Sequence, residues 1–401
     1  MKFGIGQPVK RREDRRFLTG QGRYVEDLIT DDTLALHILR SPIARGSIVA
    51  MNCTDAKAVP GVRAVLTGED YRKDGLGGIA CSTILPHLHS NVNTAAVPAL
   101  AVERVLHTGM AVALVIADSR AAAQEAAELI AVDYDEEDPI LSPLDAVAEN
   151  APVLHPDLPH NVAFDIDLGD ADATRVAIAG AAHVTRLKLH NNRLSANSME
   201  MRGGLAEHDG RDNRITLHTS TQAPHTVRAA VAGALNMPQH QLRVIAHDVG
   251  GGFGMKGGLY PEDILLAWSA SKLKCSLAWF PDRSESLLSD YHGRDQWVDA
   301  ALAFDADGHI VALQLRCDFN TGAYLSPGGG VSPMFAATLA TGCYRVPQAH
   351  VISRAVYTNT SPTQPYRGAG RPEAAYLIER LMDQAARETG RDRVEIRRLN
   401  M

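Results

Sequence analysis

Apolar and polar side chains follow two different periods in the first third of the chain. Apolar and polar positions alternate over 34–38, which predicts a strand with one buried face. The run 111–117 is apolar almost throughout, as in a strand that is buried on both faces. Asp118 precedes an alanine-rich stretch, so we predict that it caps a helix over 119–129. Further short elements are predicted at 55–59 (helix), 62–67 (strand) and 130–134 (strand).

The rest of the chain shows more strand patterns and one long amphipathic helix. The stretch 305–308, Asp-Ala-Asp-Gly, is a favourable hairpin turn between two apolar segments. Over 372–389, apolar residues recur at the helical spacing, and Gly390 ends the pattern. Asp392 and Glu395 have the spacing of a capping box for a final short helix. The predicted strands lie at 182–190, 215–219, 242–246, 276–280, 297–304 and 310–316.

An acidic, proline-rich stretch separates these two parts of the chain. Five prolines fall within 135–160, and we place a domain boundary there. The prediction is an N-terminal arm and a compact α/β domain over 1–140, a linker over 141–160, and a second domain over 161–401. A length of 401 residues is sufficient for this division. The charged run 10–16 is interpreted as part of a solvated arm.

Composition and charge exclude several classes of protein. Hydrophobic residues make up 45% and charged residues 22%, as in ordinary globular proteins. The net charge of −7 argues against a nucleic-acid-binding surface. The five cysteines contain no CxxC pair, so we expect neither an iron–sulfur cluster nor a structural zinc site. We expect reduced thiols in a cytoplasmic protein. No apolar run has the length of a signal peptide or a membrane span, so we expect neither.

A glycine-rich stretch, DVGGGFGMKGG at 248–258, carries the first sign of chemistry. It lies between the predicted strand 242–246 and a helix that opens at Pro261. A loop in this position can direct backbone N–H groups toward an anionic ligand. Its spacing is neither GxxxxGK[ST] nor GxGxxG, so nucleotide binding is not supported. A flexible glycine turn is the alternative interpretation.

Two other polar or glycine-rich loops also lie at the ends of predicted strands, and together with the first loop they form a more specific pattern. One is 221–225 (TQAPH), after the predicted strand 215–219, and the other is 364–373 (QPYRGAGRPE), which leads into a helix. Three such turns in this order resemble the molybdenum hydroxylase family, which includes xanthine dehydrogenases, aldehyde oxidases and carbon monoxide dehydrogenase-like large subunits. The resemblance covers nearly the whole chain. It implies an α+β fold in which an α/β hammerhead domain is followed by the first molybdopterin-binding domain.

The resemblance also implies roles for residues of the three loops. Gln222 lies where the family has a glutamine whose amide donates to an oxygen ligand of molybdenum, and Arg367 lies where an arginine stabilises developing negative charge. These two are the candidate catalytic residues. With Phe253 they would surround the metal without ligating it. Tyr366 and Phe253 would line the substrate pocket. The candidate cofactor-binding residues are Gln222, Gly251, Gly252, Phe253, Gly254, Arg367 and Gly368.

Most of these residues also have an ordinary structural explanation. Gln222 can be explained as a turn residue facing water, Phe253 as a core side chain, and Arg367 as a surface arginine at a helix entrance. Glu200 and Arg202 match another family pattern, and we interpret them as a structural ion pair rather than as catalytic groups.

Three positions depart from the family pattern and bear on which substrate is expected. In carbon monoxide dehydrogenases of this family the arginine is followed by a cysteine that holds copper, whereas this chain has Gly368. Gly257 stands where animal-type xanthine dehydrogenases have a substrate-binding glutamate, and Ala369 stands where they have an aromatic residue that stacks on the purine. The substrate therefore need not be carbon monoxide or a purine. An aldehyde and another N-heterocycle both remain candidate substrates.

The resemblance further implies cofactors and partners. The expected reaction is hydroxylation of a carbon centre with water as the oxygen source. The expected cofactor is molybdopterin with molybdenum, in its cytosine dinucleotide form, while iron–sulfur clusters and FAD are expected on partner subunits. Because the resemblance is to the N-terminal half of the family's large subunits, we expect a second molybdopterin-domain subunit that carries the general-base glutamate. A non-catalytic molybdopterin-binding subunit and a structural subunit are the alternatives.

Overall fold

The computed structural model describes residues 4–401, which form three β-sheets covered by helices. Residues 1–3 of the predicted arm lie outside the described residues. The strands are β1 (Leu34–Arg40), β2 (Gly46–Asn52), β3 (Val62–Thr67), β4 (Arg104–Val105), β5 (Ala111–Ala117), β6 (Ala131–Glu136), β7 (Val162–Gly169), β8 (His183–Asn191), β9 (Gly204–Asp209), β10 (Arg214–Thr219), β11 (Leu242–Ile245), β12 (Leu277–Trp279), β13 (Gln296–Phe304), β14 (Ile310–Gly322) and β15 (Gln348–Tyr357). The helices are α1 (Asp14–Leu18), α2 (Thr54–Ala58), α3 (Gly68–Lys73), α4 (Arg120–Glu128), α5 (Pro143–Ala146), α6 (Ala171–Ala179), α7 (Pro224–Ala234), α8 (Pro261–Leu273), α9 (Arg283–Ser289), α10 (Val331–Thr338), α11 (Arg371–Thr389) and α12 (Arg393–Asn400).

The largest sheet has seven strands in the order β11-β10-β9-β12-β1-β5-β3. A parallel pair joins β1 to β12, so strands of the first 140 residues and strands of 204–279 belong to one sheet. This sheet therefore crosses the predicted linker at 141–160, and the division of the chain into domains stays a prediction. Strands β10 and β11 are parallel neighbours, so the loops after them begin at the same end of the sheet.

Helix α8 packs on this sheet directly after the glycine-rich stretch. All residues from Glu262 to Ala270 are buried, because the helix is apolar on nearly every side and lies inside the main hydrophobic core. Pro261 occupies its first turn, and Asp263 accepts a hydrogen bond from the backbone N–H of Tyr260 at 3.2 Å, which closes the helix start. The end of the glycine-rich stretch is thus joined to a rigid element.

The second sheet has five strands in the order β7-β15-β14-β13-β8. The predicted turn at 305–308 joins β13 to β14 as a hairpin, and the Asp305 carboxylate accepts hydrogen bonds from the N–H groups of Asp307 and His309. Helix α11 covers one face of this sheet with the predicted apolar side chains: Ala374, Leu377, Ile378, Leu381, Met382 and Ala385. Asp392 caps the final helix, since it accepts from the N–H groups of Val394 and Glu395. The predicted capping box is only half formed, because within residues 4–401 the Asp392 N–H makes no hydrogen bond to the Glu395 side chain.

A third, smaller sheet has the order β4-β2-β6, and all of its strands come from the first 140 residues. One predicted cap in this region is wrong. Ser119, not Asp118, caps α4: the Ser119 backbone is extended, and its hydroxyl accepts from the N–H of Ala122. Asp118 instead accepts from the guanidinium of Arg63, on β3, at 2.6 Å.

The N-terminal arm is attached to the glycine-rich stretch rather than fully solvated. Both terminal nitrogens of Arg16 donate to the Asp248 carboxylate at 2.7 Å, and the N–H of Arg23 donates to the same carboxylate at 2.8 Å. Asp248 therefore fixes the arm to the start of the loop. All five cysteines are free thiols. Within residues 4–401, no helix combines the length and apolar character needed to cross a membrane.

Candidate active site

Three loops from distant parts of the sequence contact one another near the end of β10 and β11. The N–H of Gly254 donates to Oε1 of Gln222 at 2.9 Å, which joins the second loop to the first. The N–H of Arg367 donates to the carbonyl of Phe253 at 2.9 Å, which joins the third loop to the second. The N–H of Gln222 also donates to the carbonyl of Lys256 at 2.9 Å. The structure therefore brings the predicted residues of all three loops into one site.

The orientation of Gln222 follows from these contacts. A backbone N–H can only donate, so the atom of Gln222 that faces Gly254 is the carbonyl oxygen, and the amide nitrogen points away from the loop. The side chain is exposed. A Cβ atom at Gly252 would lie 2.5 Å from this Oε1, and a Cβ at Gly254 would lie 2.4 Å from the carbonyl oxygen of Pro365. Glycine is therefore required at 254, where the close atom is backbone and φ is 93°, whereas a side chain at 252 would displace Gln222 from Gly254.

Phe253 has an unusual backbone and an unusual exposure. Its φ angle is 53°, in the left-handed region that a bulky side chain rarely adopts. The residue is 43% exposed, so core packing does not account for its position. Strained residues of this kind persist where the surroundings hold them, and they are concentrated at functional sites. The other predicted pocket residue, Tyr366, is half-buried directly beside Arg367.

The site presents hydrogen-bond donors without partners. The backbone N–H groups of Gly251, Gly252, Phe253 and Gly368 make no hydrogen bond within residues 4–401. The guanidinium of Arg367 is exposed and makes no hydrogen bond or ion pair there. Neutral N–H groups and one cation are suited to the oxygen atoms of an anionic group. The set contains no thiolate or imidazole, so it suits a cofactor that brings its own metal ligands. These residues therefore fit molybdopterin.

A buried lysine within the glycine-rich stretch, Lys256, was not among the predicted site residues. Nζ of Lys256 donates to the carbonyl of Glu200 at 2.8 Å, to Oε2 of Glu200 at 2.9 Å and to Oγ of Ser220 at 2.7 Å. Burial lowers the pKa of Lys256, and Glu200 opposes this shift. The same Oε2 accepts from the N–H of Gly250 at 2.7 Å. The Lys256–Glu200 pair thus anchors Gly250, the first glycine of the loop. Lys256 was missed because no pattern in the sequence distinguishes a buried lysine from an exposed one.

The predicted ion pair between Glu200 and Arg202 is wrong. Glu200 turns toward the glycine-rich stretch, whereas Arg202 points into the core and pairs with Glu262 at 2.8 Å and Asp290 at 2.6 Å. Its guanidinium also lies 3.7 Å from the ring centroid of Tyr260. Both residues have a structural role, as expected, but they do not pair with each other. Glu200 pairs with Lys256, and Arg202 pairs with the acids Glu262 and Asp290.

Two adjacent acids at the start of α8 have opposite pKa shifts. Burial would raise the pKa of Glu262, but the positive charges of Arg202 and Arg40 outweigh burial and lower it to about 2. Burial raises the pKa of Asp263 to about 6, and its neutral donors, the Thr219 hydroxyl and the Tyr260 N–H, compensate only in part. We conclude that the environment, not the residue type, decides the charge of each group at mildly acidic pH.

None of the side chains of Gln222, Phe253 and Arg367 can act as a general base. Glu262 and Glu373 stand in the first turns of α8 and α11, as predicted, and both are also held in buried ion pairs. Neither carboxylate is free to accept a proton from a ligand at the exposed face of the site. The geometry can therefore bind and orient an anionic cofactor and stabilise negative charge, but it does not complete an acid–base site.

Two family models match this chain. Residues 154–401 match the molybdopterin cofactor-binding domain, and residues 19–138 match the a/b hammerhead domain of aldehyde oxidase and xanthine dehydrogenase. The first match alone covers more than half of the 401 residues.

Individual relatives agree with these matches. The chain is 34% identical over 398 residues to a 6-hydroxypseudooxynicotine dehydrogenase complex subunit gamma of Paenarthrobacter nicotinovorans, covering 99% of this chain and 49% of that protein. It is 35% identical over 404 residues to a carbon monoxide dehydrogenase large chain of Hydrogenophaga pseudoflava, covering 97% and 49%. A crystal structure of quinoline 2-oxidoreductase from Pseudomonas putida 86 superposes with a TM-score of 0.94 at 36% identity, covering 100% and 50%. The chain thus spans about half the length of these relatives.

Proposed function

Because this chain belongs to the aldehyde oxidase and xanthine dehydrogenase family of molybdopterin-binding proteins, we propose that its three-loop site binds one side of a molybdenum cofactor in a hydroxylase. Family members are molybdenum oxidoreductases that act as parts of larger complexes. The contact between Gln222, the Gly252–Gly254 segment and the backbone of Arg367 is the observation that carries the proposal. It is consistent with a fold in which an α/β hammerhead domain precedes the molybdopterin-binding domain.

In this proposal, each loop supplies a different kind of contact. The free amide nitrogen of Gln222 and the N–H groups of Gly252 and Phe253 donate to oxygen atoms near the metal. Arg367 supplies a positive charge on the side where negative charge develops. Gly251, Gly254 and Gly368 allow close approach of the backbone. The cofactor, when bound, supplies the two-electron oxidation of a carbon centre with water as the oxygen source. Gln222, Phe253 and Arg367 thus act around the metal and not as its ligands.

For the substrate, we propose an N-heterocycle, with an aldehyde as the alternative. Two relatives are named for nicotine derivatives and one structural neighbour for quinoline, and these compounds contain aromatic nitrogen rings. The exposed ring of Phe253 and the half-buried ring of Tyr366 stand beside the donor groups and can form apolar walls for a flat ligand. Gly368 provides no thiolate for the copper that carbon monoxide oxidation would need.

The proposal requires polypeptide beyond these 401 residues. A general base must lie within hydrogen-bond reach of the group that it deprotonates; Gln222, Phe253 and Arg367 supply none, and Glu262 and Glu373 are held in buried ion pairs. We propose that a second molybdopterin domain supplies this base and the opposite wall of the site. We further propose that the complex contains iron–sulfur and FAD subunits and lies in the cytoplasm. The cofactor is proposed to be the cytosine dinucleotide form.

Metal and pterin analysis tests the proposal most directly. The protein should be purified with its native partners, and its molybdenum and released pterin nucleotide should be measured together with oxidation of quinoline, nicotine and aromatic aldehydes. We expect close to one molybdenum per copy of this chain and turnover of at least one substrate class. Stoichiometric cofactor without turnover would favour a non-catalytic cofactor-binding subunit. A metal-free complex would contradict the proposal and favour a structural subunit.

A further inference from the structure

Arg294 contacts the backbone of the third loop directly behind Arg367. Its Nη2 donates to the carbonyl of Arg367 at 2.8 Å, and its Nη1 lies 3.4 Å from the carbonyl of Tyr366. The same Nη1 donates to Oε1 of Glu373 at 2.8 Å. The guanidinium also lies 5.1 Å from the ring centroid of Tyr366. One buried arginine therefore contacts two successive carbonyls of the loop and the ring between them.

The pair of Arg294 and Glu373 is almost completely removed from water. The side chain of Arg294 is 9% exposed and that of Glu373 is 0% exposed. The second carboxylate oxygen of Glu373 has no hydrogen-bond partner within residues 4–401, so Arg294 is its principal partner. A buried ion pair is a costly arrangement, and loss of one partner leaves an uncompensated charge. The pair is therefore a rigid attachment point at the first turn of α11.

The backbone around Arg294 is held in a strained conformation. Arg294 and Asp295 have φ angles of 65° and 69°, two consecutive left-handed residues that are not glycine. Arg193 donates to the Asp295 carboxylate at 2.8 Å and so fixes the second of them. Gly293 fits tightly below the loop, because a Cβ atom there would lie 2.4 Å from Cβ of Tyr366. The third loop thus rests on a surface that cannot easily move.

Arg367 is fixed from two opposite sides. Its N–H donates to the carbonyl of Phe253 in the glycine-rich stretch, and its own carbonyl accepts from Arg294. Only the side chain beyond Cα remains free. From this geometry we propose that Arg294 and Glu373 are positioning residues that hold the Tyr366–Arg367 segment against the glycine-rich stretch, so that the guanidinium of Arg367 reaches the cofactor side of the site. This inference rests on the proposed function.

A variant at Arg294 separates local positioning from general stability. Arg294→Met keeps the apolar stem but removes all donors, and Arg354→Met is the matched control. Arg354 is 17% exposed, is paired with Asp318 at 2.5 Å and lies on β15 of the second sheet. Both variants should lose stability. Hydrogen–deuterium exchange of the complex should increase locally in peptides covering 252–256 and 364–370 for Arg294→Met only. Equal exchange in the two variants at these peptides would overturn the proposal.

The cofactor gives a second measurement. In Arg294→Met we expect molybdenum content to stay near that of the parent complex, while kcat falls roughly 10- to 100-fold from misplacement of Arg367. The Mo(V) EPR signal after dithionite reduction should also change in shape. Arg294→Lys should restore only part of kcat, because an ammonium lacks the planar fork that reaches two acceptors. Parent-like kcat and EPR signal in a loaded Arg294→Met complex would overturn the proposal.

A milder variant covers the case in which Arg294→Met does not assemble. Glu373→Gln keeps the volume and an acceptor for Arg294 but removes the buried charge. It should increase exchange in 364–370 by less than Arg294→Met, and unchanged exchange with full turnover would overturn the positioning role. If the parent complex contains no molybdenum, the proposed function fails, but the exchange measurement still tests whether Arg294 holds the loop.

Discussion

At the residue scale, Arg367 is the side chain on which the proposed chemistry depends most. It is exposed, has no ion-pair partner within residues 4–401, and extends from a backbone that is fixed on both sides. We expect Arg367→Met to lower turnover by roughly 100-fold, about 3 kcal/mol, because a pre-organised donor is lost. Steady-state kinetics on the purified complex measures this effect. Arg380→Met, an exposed arginine in the middle of α11, is the control, and equal rates in the two variants would remove Arg367 from the mechanism.

The residue after Arg367 leads to a prediction about copper. A copper–molybdenum site needs a soft thiolate next to the cofactor, and Gly368 has no side chain. The five free cysteines lie outside the three loops. We therefore expect no copper and no oxidation of carbon monoxide. Elemental analysis of extensively dialysed complex, with a carbon monoxide-dependent dye reduction assay, measures both, and stoichiometric copper would contradict the expectation.

At the scale of single elements, the glycine-rich stretch depends on Lys256. Its ammonium uses all three protons on Glu200 and Ser220, and Glu200 in turn holds the N–H of Gly250. Lys256→Met should lower the free energy of unfolding by about 2–4 kcal/mol, since it leaves Glu200 unpaired in a poorly hydrated position. Lys272→Met should cost less than about 1 kcal/mol, because its pair with Asp74 is partly exposed on both sides. Denaturant unfolding of both variants measures the difference, and similar losses would show that the buried network is unimportant.

The start of α8 should impose two opposite pH dependences on stability. Glu262 has a folded pKa of about 2, below its ordinary value of 4.5, so its stabilising contribution is complete above pH 4.5 and is lost as the pH falls toward 2. Asp263 has a folded pKa of about 6, above its ordinary value of 3.8, so its contribution is favourable at low pH and is lost as the pH rises from about 4 to 6.

The Asp263→Asn variant isolates the second effect. A shift of about two pKa units corresponds to roughly 3 kcal/mol between pH 4 and pH 6, and the variant should lack this decrease. Urea unfolding at several pH values compares the parent, Asp263→Asn and the exposed control Asp212→Asn. A parent-like pH profile in Asp263→Asn would show that Asp263 ionises normally in the fold.

At the scale of the whole molecule, the exposed site loops require a covering surface. Gln222, Phe253 and Arg367 all face solvent in residues 4–401, although a cofactor with a reactive metal needs an enclosed site. Residues 1–401 expressed alone should therefore bind little molybdenum and turn over no substrate. Addition of the second molybdopterin domain should restore both, through an interface that is large and apolar. Cofactor content and activity measure this, and an isolated chain that is loaded and active would contradict it.

Local patterns in the sequence predicted many of the elements and the family, but not β7, β9, β15, α6 or α7. The apolar run 111–117 coincides with β5, and the predicted strand 62–67 coincides with β3, because burial on a sheet imposes its own period on the residues. The hairpin at 305–308 and the apolar face of α11 are as predicted for the same reason. The roles of Gln222, the Gly251–Gly254 segment and Arg367 are predictions from the family resemblance of three short motifs; the structure brings these loops into contact.

Short-range patterns thus predict many of the strands and helices, whereas the tertiary structure selects which charges meet. Glu200 pairs with Lys256 and not with Arg202, and Glu373 pairs with Arg294, 79 positions away. It also decided that β12 joins β1 across the predicted domain boundary. Hydrophobic period and turn preference act over a few residues and can be seen in the chain. Ion-pair partners and sheet order depend on long-range packing, because a buried charge takes whichever opposite charge the fold brings near.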